Sequence, residues 1–176
     1  MTPGVLTRLV VLTIAIMFAM AIPTRIHADD TAVVYLVRHA EKLDGGSDPE
    51  LSAAGRERAL QLAMMLRDAG ITRIYSTDFK RTRDTARPLS EKLGVRIELY
   101  DLEEMSTLAA ALKRKGQRSL VVGHSNTTPE LAALLGGVAG TDIDEGGEYD
   151  RLYTVSISNR NEVSTVLLRF GQPYLQ

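Results

Sequence analysis

The stretch VVYLVRHAEK, residues 33–42, decides how this chain is read, because a run of β-branched and aliphatic residues passes directly into an arginine, a histidine and a glutamate. A short, nearly continuous apolar run is what a strand buried on both faces of a parallel sheet requires. Polar groups just beyond it then stand where the strand leaves the core. A second stretch, SLVVGHSN, residues 119–126, repeats the design with a histidine and a serine after the apolar run. If the two strand ends meet, they form an active site.

Outward from these strands, helical and extended signals alternate. A polar, glycine-containing loop over residues 42–50 leads to Ser52, a suitable cap for a helix in which Ala59, Leu62, Ala63 and Leu66 recur at helical spacing before Gly70. Residues 71–75 read as a second strand, and helical character resumes near Phe79, with an interruption expected at Pro88 and a stop at Gly94. A third strand over 95–100, a helix over 105–115 ended by Gly116, and a fourth strand over 120–123 follow. Pro129 opens another helix, where a proline in the first turn costs no hydrogen bond. The acidic, glycine-rich segment 136–147 is a loop, and residues 153–158 with 163–170 form a terminal hairpin across NRN. This alternation predicts a three-layer α/β/α sandwich with a mostly parallel central sheet. Ligands in such sheets bind at the carboxyl ends of the strands, where Arg38, His39, His124 and Ser125 fall.

The chain has 176 residues, a net charge of -1 and no cysteine. One domain is expected. Near-neutral charge argues against nucleic acid as a partner, so any anion site has to be local. A basic start with Arg8, an apolar run over residues 9–22, Pro23 and a small residue at Ala28 read as a secretory signal peptide over 1–28, with the domain occupying 29–176. The apolar run is shorter than the roughly 20 residues of a membrane span, so no stable membrane insertion is expected after leader removal, and the destination is periplasmic or secreted. The absence of cysteine excludes disulfides, a thiol nucleophile and a zinc–thiolate site. Only His39 and His124 remain outside the leader, and no motif supplies carboxylates at ligand spacing, so neither metal nor cofactor is expected.

LVRHAEK, LSAAGRERA, YSTDFKRTRDTA and VVGHSNT, in this order, resemble the histidine phosphatase superfamily, also called phosphoglycerate mutase-like, and the four motifs together span nearly the whole proposed domain. The resemblance implies a nucleophilic histidine at His39, an arginine beside it at Arg38, a second arginine at Arg81 and a second histidine at His124. It also implies a small phosphorylated substrate and no metal. Ala40 stands where the family commonly has glycine, and Arg58 where it often has glutamine; neither change removes a catalytic group.

The chemistry of these residue types agrees with that assignment. Two guanidinium forks and a histidine can hold the three oxygens of a phosphoryl group in transfer. The His39 imidazole can attack phosphorus from one nitrogen if a hydrogen bond fixes the other, giving a phosphohistidine that water then hydrolyses. Ser125 is expected to contact phosphate or the following helix. It is not a hydrolase nucleophile, because Thr127 occupies the position where a nucleophile elbow needs glycine. The general acid is read as Glu104, with Glu103, Asp101, Glu148 and Asp150 as other candidates, or no acid at all, in which case good leaving groups or phosphoramidates are favoured. A phosphohistidine-protein phosphatase and a non-catalytic phosphate sensor are the competing readings.

Overall fold

A computed structural model describes residues 30–175. Its six strands are β1 (Ala32–Arg38), β2 (Arg73–Ser76), β3 (Ile97–Leu99), β4 (Arg118–Gly123), β5 (Arg151–Ile157) and β6 (Val163–Arg169). They form one sheet in the order β3-β2-β4-β1-β5-β6. The pairs β2–β3, β2–β4 and β1–β4 are parallel, whereas β1–β5 and β5–β6 are antiparallel. Four α-helices complete the fold: α1 (Ala53–Leu66), α2 (Lys80–Leu93), α3 (Met105–Leu112) and α4 (Thr127–Leu134).

Alternation along the strands assigns each helix to a face. Val37, Ile74, Leu120 and Val122 point to one side, where Leu62, Ala63 and Leu66 of α1 and Ala86 and Leu89 of α2 cover them. Leu36, Tyr75, Val121 and Tyr153 point to the other, against Met105, Leu108 and Leu112 of α3 and Leu131 and Ala132 of α4. The expected α/β/α sandwich is therefore what forms, and β1 is apolar throughout because both of its faces are covered. None of the described helices is long and apolar enough to cross a membrane. The expected leader, residues 1–28, lies outside the described residues.

Several element boundaries differ from expectation for local reasons. Helix α2 runs through Pro88 without a break: losing one helical hydrogen bond to the Asp84 carbonyl is outweighed by burial of Ala86 and Leu89 on either side. Strand β3 is shorter than predicted because Gly94, at φ 66°, takes the left-handed cap and the Val95 amide closes back on the Ser90 carbonyl. Helix α4 begins at Thr127, which leaves Pro129 within the first turn. Helix α3 is preceded by a 3-10 turn, Leu102–Glu104, capped by the Asp101 carboxylate on the Glu103 amide.

The motif LSAAGRERA also has a packing reason. Ser52 Oγ accepts from the Gly55 amide, and the Ser52 amide donates to the Glu41 carbonyl at 2.9 Å. This draws α1 onto the backbone beyond β1 so closely that a Cβ at Gly55 would sit 2.0 Å from the Glu41 carbonyl oxygen. Only glycine allows that approach.

Candidate active site

The ends of β1 and β4 are joined across the crevice by the His39 amide, which donates to the Gly123 carbonyl at 2.9 Å. Gly123 is crowded: a Cβ there would meet Thr127 Oγ1 at 3.0 Å and both Thr128 Oγ1 and Tyr100 Oη at 3.1 Å. Adjacent parallel strands thus bring two histidines from sequence-distant motifs together. Their ring centroids lie 5.6 Å apart in an edge-on arrangement.

Side-chain contacts define the proton on each imidazole. The Nδ1 of His39 lies 2.8 Å from the Ala40 carbonyl, which can only accept, so Nδ1 carries the proton and Nε2 keeps its lone pair. The Ala40 amide in turn donates to Thr85 Oγ1, and Thr85 donates to the Arg81 carbonyl, which fixes the end of β1 against α2. For His124, Nε2 lies 3.1 Å from Thr77 Oγ1. Thr77 donates its hydroxyl proton to Thr82, and Thr82 donates on to backbone carbonyls, so His124 Nε2 is the donor to Thr77. Phe79 packs edge-on against the His124 ring with centroids 5.4 Å apart.

Both imidazoles are held neutral. Burial pushes His39 down to about 3; the hydrogen bond to Ala40 works in the opposite sense, and the positive charges of Arg38 and Arg81, with His124, add to the lowering. Burial, then Arg81 and Arg38, bring His124 down to about 4.

The two arginines are held in different ways. Arg38 is almost fully buried, and its Nη1 donates to the Asp144 and Glu148 carbonyls at 2.9 and 3.0 Å while Nη2 donates to the Glu145 carbonyl at 2.7 Å. This leaves the Nε–H and one Nη2–H, the side edge of the fork, for an anion. Arg81, in the first turn of α2, lies over the Phe79 ring at 4.3 Å and stands 3.8 Å from Asp48. The Nε atoms of both arginines are buried without a hydrogen-bond partner. A buried donor left unpaired is costly, and an oxyanion between the arginines would satisfy both.

The loop that supplies the three carbonyls to Arg38 is itself pinned by charge. Buried Glu148 accepts from Arg151, from Arg169 at 2.7 Å and from the Asp144 amide at 3.0 Å. Burial alone would raise this carboxyl, yet hydrogen bonds from Arg151, Asp144 and Arg169 hold it well below the usual range. Asp150 accepts from Arg169 at 2.5 Å and from the Tyr174 amide at 3.0 Å. Glu148 and Asp150 are therefore structural carboxylates, which corrects their candidacy as the general acid. Asp101, Glu103 and Glu104 are all exposed; Asp101 and Glu103 line the cleft beside Thr77 and Phe79, and Glu104 stands at the end of the 3-10 turn.

Ser125 is placed in the half-buried turn between His124 and α4. Glu41 forms an ion pair with Arg58 at 2.7 Å, and Arg58 also donates to the Phe170 and Gln172 carbonyls. Among residues the sequence left unassigned, Thr77 and Thr85 lie inside a quoted motif, and Thr77 could have been suspected as a polar group next to a strand end. Tyr149 carried no such signal. It reaches the site only through the fold of its loop, placing its ring 4.0 Å from the Arg38 guanidinium and 5.9 Å, centroid to centroid, from His39. Asp48, from the glycine-containing loop, accepts from the Lys80 amide and so caps α2 from a distance.

Comparison with known proteins bears on the family and the fold. The profile of the histidine phosphatase superfamily (branch 1) matches residues 34–109. The probable phosphoglycerate mutase GpmB of Escherichia coli is 32% identical over 126 residues, a match covering 68% of this chain and 57% of that protein, so the chain spans little more than half the length of this relative. Among solved structures, the protein histidine phosphatase SixA complexed with tungstate superposes with a TM-score of 0.61 at 18% identity, covering 78% of this chain and 96% of SixA. A mycobacterial glucosyl-3-phosphoglycerate phosphatase superposes with a TM-score of 0.57 at 17% identity, covering 80% of this chain and 98% of the other. With its motifs in order, its two histidines side by side and the shared fold, the chain belongs to the histidine phosphatase superfamily.

Proposed function

We propose that the chain is a phosphatase that hydrolyses a small phosphomonoester through a phosphohistidine on His39. The observation that carries this reading is the pair of buried, unpartnered arginine Nε groups beside a neutral imidazole whose Nδ1 proton is already committed. Arg38 and Arg81 hold the phosphoryl oxygens, and the lone pair of His39 Nε2 forms the P–N bond as the ester P–O bond breaks, the alcohol oxygen leaving with the bonding pair and taking up a proton from the cleft. His124 faces a site whose field reverses when a dianion enters; it takes a proton from solvent on Nδ1, donates it as a hydrogen bond to the transferring group, and loses it again when phosphate leaves. Water then attacks phosphorus, the P–N bond breaks, inorganic phosphate leaves, and the proton released by water is lost to solvent. His39 returns to the neutral Nδ1–H form.

Glu148 and Asp150 are locked as carboxylates, so Asp101 and Glu103, which line the cleft beside Thr77 and Phe79, are the groups left to protonate the leaving oxygen. The test is metal-free hydrolysis of an aryl phosphate by the protein lacking residues 1–28, with His39→Ala as control and acid-quenched trapping of labelled enzyme. Turnover lost in the variant, with label on His39, supports the proposal. Turnover retained in His39→Ala would sink it. Phosphate binding without any turnover would instead favour the sensor reading, and faster turnover of a phosphoramidate than of aryl esters would favour a phosphohistidine substrate. We also infer export, supported by the basic start, apolar run and small residue of residues 1–28. Intact-mass analysis of the periplasmic fraction should find a chain starting near Asp29, and a mature chain starting at Met1 would refute it.

A further inference from the structure

A cleft of about 570 Å³ lies against the residues that hold the His124 ring. Its inner end is Thr77 and Phe79, the same two residues that touch the His124 ring, so a group esterified to the bound phosphoryl has this space next to it. The cleft differs in charge from the site it adjoins. The arginines stand at the phosphoryl end, where they face the phosphoryl oxygens, whereas the outer lining carries Asp78, Asp101 and Glu103 and no lysine or arginine. Asp78 is neutralised by its ion pair with Arg83. Asp101 and Glu103 have no ion-pair partner among the described residues. Leu99, 55% exposed, adds an apolar wall with nothing packed over it.

We infer that this cleft selects phosphoesters whose organic part is cationic, of the amino-alcohol or amino-sugar class, and disfavours those whose organic part bears a carboxylate. The inference rests on the phosphatase reading for the placement of the phosphoryl group. Once the dianion has neutralised Arg38 and Arg81, the charges that line the cleft without an ion-pair partner are the carboxylates of Asp101 and Glu103. An ammonium gains from both and a carboxylate is repelled by both. Each contact is solvent-exposed and modest, so the combined preference between two esters of equal size and opposite charge is on the order of tenfold at low ionic strength, and it shrinks as salt is added.

Phosphoethanolamine and phosphoglycolate make the comparison, being two-carbon esters of opposite end charge. The quantity measured is the ratio of their kcat/KM values in the wild-type chain and in the double variant Asp101→Asn, Glu103→Gln, in which the asparagine still caps the 3-10 turn. The expected result is a ratio of about ten in favour of the amine in wild type, falling towards one in the variant. A wild-type ratio of one or below, or a preference that survives in the variant, overturns the assignment. Hydrolysis of p-nitrophenyl phosphate by the same preparation reports separately on the phosphatase reading. If no ester is turned over, displacement of tungstate by the two compounds, followed by calorimetry, reads the same ratio. Amine preference abolished by the double variant would then uphold the cleft assignment while the phosphatase reading fails, and equal displacement would overturn both.

Discussion

Replacing Gly55 by alanine tests whether the approach of α1 to the nucleophile-bearing strand end is as close as described. An alanine Cβ would stand 2.0 Å from the Glu41 carbonyl oxygen, and 3.4 Å is where ordinary contact begins, so backbone must retreat by roughly 1.4 Å. In an unobstructed helix the change would stabilise by about 1 kcal/mol, because alanine is the better helix former. Here the obstruction is main chain, which cannot rotate away, so the overpacking cost lies at or above the upper end of about 1–3 kcal/mol. The Ser52 amide bond to Glu41, worth about 1 kcal/mol, stretches as well. The net expectation is a loss of about 2–3 kcal/mol, or about 5–10 °C in Tm for a domain of this size. The same retreat pulls on Ala40, whose carbonyl accepts the His39 Nδ1 proton and whose amide is held by Thr85. A misplacement near 1 Å costs on the order of 100-fold in turnover. Thermal unfolding and aryl phosphate hydrolysis of Gly55→Ala, with the exposed Glu57→Ala on the same helix as control, make the measurement. A Gly55→Ala protein as stable as wild type with unchanged kcat/KM would refute the reasoning.

Two further expectations concern charge. His39 and His124 are folded with pKa values of about 3 and about 4, below the unfolded value near 6.5, so the unfolded chain takes up protons first as pH falls. Each histidine then subtracts stability between about pH 6.5 and pH 4, amounting to about 2 kcal/mol per group by pH 5. Denaturant unfolding of His39→Asn should therefore lose about 2 kcal/mol less than wild type between pH 7.5 and pH 5, and NMR should show both wild-type imidazoles neutral at pH 5.5; parallel stability curves would contradict it. Glu148→Ala leaves Arg151 buried without its carboxylate and frees the loop carbonyls that hold Arg38. A loss of about 3–5 kcal/mol is expected, accompanied by a raised KM for aryl phosphate; a variant with wild-type Tm and KM would show that the loop is positioned by other contacts.

The chemistry-bearing residues were readable in the sequence because strand ends and motifs place them locally. An apolar run that stops at Arg38-His39 must deliver those side chains to the edge of the core, and the same holds for Gly123-His124. Element type was equally local, since period and caps decide it: Ser52 begins α1 and Gly94 ends α2 as expected. Pro88 shows the limit of local reasoning, because burial on both of its sides outweighed a missing hydrogen bond.

What tertiary structure alone decided is how the site is charged and held. Glu104, Glu148 and Asp150 are chemically equivalent candidates for a proton donor in one dimension. In three dimensions the first is exposed, the second lies between Arg151 and Arg169, and the third holds Arg169 and the Tyr174 amide. Tyr149 over Arg38 and Arg58 on Glu41 depend on contacts across 111 and 17 residues of chain, and no local pattern records them. A strand's direction and period are properties of neighbouring residues, so sequence determines them. The proton affinity of a side chain depends on which distant charges and how much water surround it, and only the folded chain sets those.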